Sequence, residues 1–314
     1  MTPTDTTAQR FLDRNYTSCV RGLCMILIVW GHTANEFVPL LERFHLGSLL
    51  LGARFATGLF LFLSGYGLTL SMKRNAVDGR YVGRHVLNLL LPYLIFWAFY
   101  LLTDLACGHV PAMGHVWTAF LTLGMPNADA WFFRTIFAFY LLYFALARIA
   151  KSGAGVWMSL IVAVYVAALA GGGVASWWWD TALCFPLGIL FARRPGLRRK
   201  IHWTGLLALG VLFVVCYKSP AAWVVGTLCA PLAVCLLCAY LSPCVAVPAR
   251  VPLLSYLGTN SLYVYFMEEI PIGYMSSSAV GFAVFVGGGL VLTIVLAWLG
   301  RTVETCVRRG RWQR

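Results

Sequence analysis

Long apolar runs alternate with short polar segments along most of the chain. A helix that crosses about 30 Å of hydrocarbon needs about 20 mostly apolar residues. Ten stretches fit that description: residues 19–39, 48–71, 86–105, 131–150, 156–170, 179–191, 203–217, 222–241, 253–272 and 280–300. The sixth is short, and the fifth and seventh have soft boundaries. The pattern predicts an all-α polytopic membrane protein with about ten transmembrane helices in one domain, residues 19–300. A polar segment, 1–18, precedes it and a basic tail, 301–314, follows. The first apolar run is too long for the core of a signal peptide and lacks a small-x-small exit, so it reads as a retained span.

Composition and charge sharpen this picture. Hydrophobic residues make up 60% of the 314 and charged residues 11%, against about 25% charged in an ordinary soluble domain. So few charges cannot cover a water-exposed surface, which excludes a soluble enzyme. So much apolar surface likewise excludes a disordered chain. The net charge of +13 would suggest nucleic acid in a soluble protein. Here the basic residues cluster between apolar runs, as the positive-inside rule requires of a membrane protein. With the N-terminus in the cytoplasm, 20 of the 24 lysines and arginines fall on the inner side. An even number of spans then returns the C-terminus, with its basic tail, to the cytoplasm. No nucleic-acid partner is expected. Most of the ten cysteines lie inside apolar runs, and the C-x-x-C of Cys235 and Cys238 has no second pair. They read as small apolar residues, with no metal site implied.

An ionisable residue inside a span costs about 2.5–3.5 kcal/mol on insertion scales, so each asks for a reason. The first span carries Arg21 and His32, eleven residues apart. Eleven residues make about 3.1 turns and about 16 Å of rise, so the two side chains share one helix face, about half a hydrocarbon thickness apart. Asn35 and Glu36 follow within one turn of His32 on that face. The ninth span carries adjacent glutamates, Glu268 and Glu269, which must meet water, a cation or each other. Asn260 or Ser261 reads as a helix cap at its start. Arg134 sits near the outer start of the fourth span, with Asp129, Glu268 or Glu269 as candidate partners. The inner loop holds Lys73, Arg74, Arg80 and Arg84, four cations able to receive phosphates. The outer loop of residues 106–130 is the longest, and a re-entrant or lid segment fits it.

Four segments, in order along the chain, resemble the integral-membrane acyltransferases called acyltransferase family three. Arg21 to His32 is similar to that family's R-x(10)-H pattern. Phe60 to Gly67 reads FLFLSGYG, like its F-x-F-L-S-G-Y-G segment. Tyr81 through Arg84 to Pro92 and Tyr93 resembles its basic lead into the third helix. Gly258, Asn260, Ser261 and the Leu-Tyr-x-Tyr that follows resemble its G-k-n-S-l-x-i-Y segment. Two positions differ: Glu268 stands where the family often has histidine, and Thr259 where it often has lysine. The resemblance implies ten helices in a bacterial inner membrane. It implies transfer of an acyl group, commonly acetyl, from cytoplasmic acyl-CoA to a hydroxyl of a cell-surface polysaccharide or its lipid-linked precursor. His32 would be the family's essential histidine and Arg21 its motif arginine.

The chemistry follows from these residue types. Acyl transfer needs a hydroxyl nucleophile, a base to take its proton and a grip on the thioester. Neutral His32 is the expected base, with Glu36 orienting it. Arg21, Arg74, Arg80 and Arg84 are the expected acyl-CoA-binding cations, since arginine grips phosphate bidentately. Asn35, Arg134, Glu268 and Glu269 are expected to bind substrate. The competing reading is a secondary transporter or exporter, because buried ionisable residues also mark solute paths; no inverted repeat supports it. A third is a membrane scaffold or glycan sensor in which His32 is structural.

Overall fold

The structure is a computed structural model. It describes residues 11–36, 51–109, 112–125, 130–194, 196–197, 205–208, 210–212, 223–244, 251–273, 281, 284 and 288–312. All regular structure among these residues is helical. The main helices are α1 (Arg14–Glu36), α2 (Leu51–Arg74), α3 (Gly79–Ala106), α4 (Met113–Leu121), α5 (Trp131–Ile149) and α6 (Ala154–Gly171). After them come α7 (Cys184–Arg193), α8 (Trp223–Leu241), α9 (Pro252–Thr259), α10 (Ser261–Met267), α11 (Glu269–Gly273) and α12 (Leu290–Trp312). Among the described residues, five segments are long and apolar enough to cross a membrane: Ala53–Arg74, Gly79–Ala106, Trp131–Ile149, Lys151–Gly171 and Trp223–Leu241.

The ten predicted spans map onto these helices unevenly. α1 covers the first, but its polar positions keep it out of the set of five. The sixth shrinks to the ten residues of α7, preceded by turns. Most of the seventh, 203–217, lies outside the described residues, as does Asp129. The ninth is not one helix. It breaks at Asn260 and again at Glu268. Asn260 occupies the N-cap position of α10 but makes no side-chain cap hydrogen bond. The second break has a covalent cause. Pro271 has no N–H to return to the carbonyl of Met267, so the helix ladder loses a bond one turn earlier. The last helix overshoots its prediction and carries residues 301–312 as well. The long loop of residues 106–130, expected on the outer side, contains α4, whose Val116 and Ala119 are buried.

The chain divides into two compact units. The first comprises Met1–Cys24, Gly52–Tyr81 and Phe139–Thr259. Glycines set its closest helix crossings. A Cβ on Gly22 would lie 2.0 Å from the Leu254 carbonyl oxygen, and one on Gly258 would lie 1.9 Å from that of Ser18. The starts of α1 and α9 therefore touch backbone to backbone, and the Ser18 hydroxyl donates to the Ser255 carbonyl at 3.3 Å. α2 and α7 repeat the device: a Cβ on Gly65 would meet the Phe185 carbonyl at 2.2 Å, and one on Gly188 that of Phe62 at 2.0 Å. Without a hydrophobic drive between helices in lipid, such close approach is how they gain dispersion and polar contacts.

The second unit comprises Met25–Leu51, Val82–Ala138 and Asn260–Arg314. Its core is aromatic. Tyr93, Phe96, Phe133 and Phe266 are essentially inaccessible. The Phe133 and Phe266 rings meet edge to face at 5.1 Å, and Tyr93 stacks on Phe133 at 5.2 Å. The Tyr93 hydroxyl donates to the carbonyls of Phe120 and Gly124, both at 3.0 Å, and so ties the end of α4 to α3. α10 packs on α12, where Gly300 leaves room for the Tyr263 ring.

Candidate functional site

His32 lies in the second unit, on the last turns of α1. Its Nδ1 is 2.8 Å from Oε1 of Glu268 and 3.8 Å from Oε1 of Glu269. The imidazole is 30% exposed, while the Glu268 side chain is fully buried and Glu269 nearly so. One face of the histidine is therefore engaged by carboxylate, while the side chain stays accessible. The Tyr265 ring lies 6.1 Å from the imidazole and Phe132 lies 5.6 Å from Tyr265, so the site has aromatic walls.

The helix break at Glu268 positions both acids. On an unbroken helix, consecutive residues diverge by about 100°. At the junction of α10 and α11 both carboxylates reach the same imidazole. Glu268 Oε2 is buried with no hydrogen-bond partner among the described residues. Such an orphan is costly, and a positive charge arising on His32 would offset it. The donor atoms of His32, Glu268 and Glu269 lie within 4.8 Å of one another, so these three are also the described residues able to hold a metal ion. The 2.8 Å separation is that of a hydrogen bond.

Spacing along α1 points to Glu36, one turn away, as the carboxylate beside His32. The side chains of Asn35 and Glu36 lie outside the described residues. Glu268, 236 positions distant, is the group in contact. One signal could have found it: an imidazole and a glutamate pair, each unexplained within an apolar span, satisfy one another.

Arg134 is half-buried in the second unit. Its guanidinium lies against Gly124, where a Cβ would come within 2.7 Å of Nη2. It is also within electrostatic reach of the Tyr93 hydroxyl.

Arg21 belongs to the first unit. Its Nη2 approaches Gly67, and its Nε is buried without a hydrogen-bond partner among the described residues. Tyr140 lies within electrostatic reach. The arginine of the first motif thus meets the glycine that ends the Ser64–Gly67 segment. No spacing or motif along the chain singles out Tyr140 as its neighbour. Arg74, Arg80 and Arg84 are exposed around the short α2–α3 connection. Nearby, the Tyr81 hydroxyl donates to Ser71 at 2.8 Å and the Tyr81 amide to Asp78 at 2.7 Å, which fixes that turn.

The C-terminal part of α12 forms a separate polar cluster in the second unit. The buried Glu304 carboxylate accepts from the Tyr263 hydroxyl at 2.8 Å, from Arg301, and from Arg308 Nε at 2.7 Å. Arg308 Nη2 also donates to the Asn88 side chain at 2.6 Å. Burial pushes the Glu304 carboxyl upward, but Tyr263 and the two guanidiniums outweigh it and hold the pKa below the ordinary carboxylate value.

Comparison with known proteins adds one match. A family model described as an acyltransferase domain, that of acyltransferase family three, matches residues 14–302. No curated protein and no solved structure matches the chain.

Proposed function

Because the chain belongs to acyltransferase family three and is an integral membrane acyltransferase, we propose that it moves an acyl group, acetyl by preference, from cytoplasmic acyl-CoA to a hydroxyl. The acceptor class is a cell-surface polysaccharide or its lipid-linked precursor, in a bacterial inner membrane. The observation that carries this reading is the 2.8 Å contact between His32 Nδ1 and the buried Glu268 carboxylate.

That contact suits general-base catalysis. With the proton on Nδ1 and donated to Glu268, the Nε2 lone pair is free for the acceptor. The hydroxyl loses its proton to Nε2 as its oxygen bonds to the thioester carbonyl carbon. The tetrahedral intermediate collapses, the C–S bond breaks, and the imidazolium returns its proton to the departing thiolate. The products are the ester and free CoA. Glu268 holds the productive tautomer and stabilises the transient imidazolium, as the carboxylate of a catalytic triad does. Glu269, farther from Nδ1, adds negative potential to the same ring.

The remaining roles stay with the residues first assigned to them. Arg21, about three turns from His32 on the same helix, is assigned to the donor's phosphates, with Arg74, Arg80 and Arg84 for its nucleotide end. Asn35 and Arg134 are assigned to the acceptor side. Ten spans with both termini cytoplasmic remain the expected topology, on the charge asymmetry of the loops.

The test uses purified full-length protein in detergent with radiolabelled acetyl-CoA and a soluble glycan acceptor. His32→Ala with normal insertion and folding should abolish labelled ester formation and acceptor-dependent CoA release. An active His32→Ala variant would overturn the mechanism. Solute counterflow in liposomes without CoA turnover would overturn the reaction.

A further inference from the structure

The first unit contains a groove of about 510 Å³ between α6, α7 and α8, within the range of small-molecule sites. Its walls are apolar, with Val156, Leu187, Leu190 and Leu232 among them. Its polar end is formed by Ser152, Arg193 and Arg194, and no acidic residue is among the described residues that line it. Val156 is 64% exposed and Leu190 38% exposed, so the groove opens on the exposed flank of α6 and α7, beside a segment, Lys151–Gly171, long and apolar enough to cross a membrane.

The cations at its end have distinct tasks. Lys73 Nζ donates to the Ala192 carbonyl at 2.6 Å and caps the last turn of α7. Arg193 donates to the Ser152 carbonyl and closes α7 onto the start of α6. Arg194, the C-cap residue of α7, is exposed and makes no ion pair among the described residues. Three positive charges therefore stand where an apolar groove ends, with one guanidinium uncommitted.

We propose that this groove seats one acyl chain of an anionic glycerophospholipid, with Arg194 on its phosphate and Arg193 and Lys73 supplying the surrounding positive potential. The lateral opening favours an occupant that arrives from the bilayer. The charge favours an anionic headgroup over a zwitterionic one. None of these residues belongs to the proposed transfer site, so the two readings stand or fall separately.

Native mass spectrometry of the full-length protein tests it, with phosphatidylglycerol, phosphatidylcholine and a polyprenyl phosphate as probes. The wild type should retain phosphatidylglycerol in preference to phosphatidylcholine. Arg194→Ala should weaken that binding about fivefold, the effect of one cation near an anionic surface, while Arg14→Ala, an exposed arginine elsewhere, should not. Ser159→Phe or Leu190→Trp should fill the groove and remove binding with the cations intact; either one, if folded, suffices. Equal losses in Arg194→Ala and Arg14→Ala would reduce the effect to diffuse surface charge and overturn the site. Unchanged binding in a folded groove-filling variant would do the same. Displacement of phosphatidylglycerol by polyprenyl phosphate at a tenth of its concentration would overturn the assigned occupant.

Discussion

Glu268→Gln isolates what the carboxylate does for His32. The amide is nearly isosteric, so packing survives, but the charge is lost. In the proposed reaction His32 is neutral in the ground state and cationic when it holds the acceptor's proton. Only the cationic state gains from a full negative charge beside Nδ1. The contact distance of 2.8 Å puts the charge centres about 4 Å apart, where unit charges at an effective dielectric of about 20 interact by about 4 kcal/mol. At 1.36 kcal/mol per decade this is a loss of about 10³-fold in turnover. Glutamine can also donate to Nδ1 and hold the wrong tautomer; the equivalent exchange in a serine-protease triad lowers turnover about 10⁴-fold. KM for acyl-CoA should change little, because the effect arises in the transition state. Steady-state CoA release by a thiol assay, with the melting temperature as a folding control, measures it. Turnover within threefold of wild type in a folded Glu268→Gln protein would refute the charge argument. Glu269→Gln should cost less, since its oxygen is 3.8 Å away.

Arg21→Ala removes a guanidinium assigned to the donor's phosphates. A charge-assisted hydrogen bond is worth about 1.5–3 kcal/mol, so KM for acyl-CoA should rise at least tenfold, and an unchanged KM would remove that role. Gly258→Ala forces a methyl to 1.9 Å from the Ser18 carbonyl oxygen and should destabilise by about 1–3 kcal/mol. Gly83→Ala, with nothing within 4 Å, is the matched control in a detergent melting assay, and equal melting points would contradict the close crossing. Glu304 has a lowered pKa, so its contribution to stability is complete above the unfolded carboxyl value of about 4.3 and disappears as pH falls through the lower folded value. Glu304→Gln should flatten the pH dependence of protease resistance at the C-terminal end of α12; an unaltered profile would deny Glu304 that role.

Much of this protein is written locally. Runs of apolar residues specify helices because in a bilayer every backbone group must bond within its own segment. The eleven-residue spacing of Arg21 and His32 sets their register by helix geometry alone. The glycines of Ser64–Gly67 and Gly258 stand out in the sequence as motif positions, and in the fold Gly65 and Gly258 make close backbone crossings. What local pattern could not decide was which distant group completes each site. Glu36 was the natural partner for His32 because i,i+4 neighbours can be counted along a chain. Glu268 reaches the imidazole only because the ninth apolar run breaks ahead of Pro271 and folds against the end of α1. The same holds for Arg21 beside Gly67, and for the cationic end of the lateral groove, where Lys73, Ser152 and Arg193 meet across three helices. Helix formation is a short-range property of sequence and was determined there. The pairing of a buried charge with its counter-charge is a property of how helices pack, and only the tertiary structure decided it.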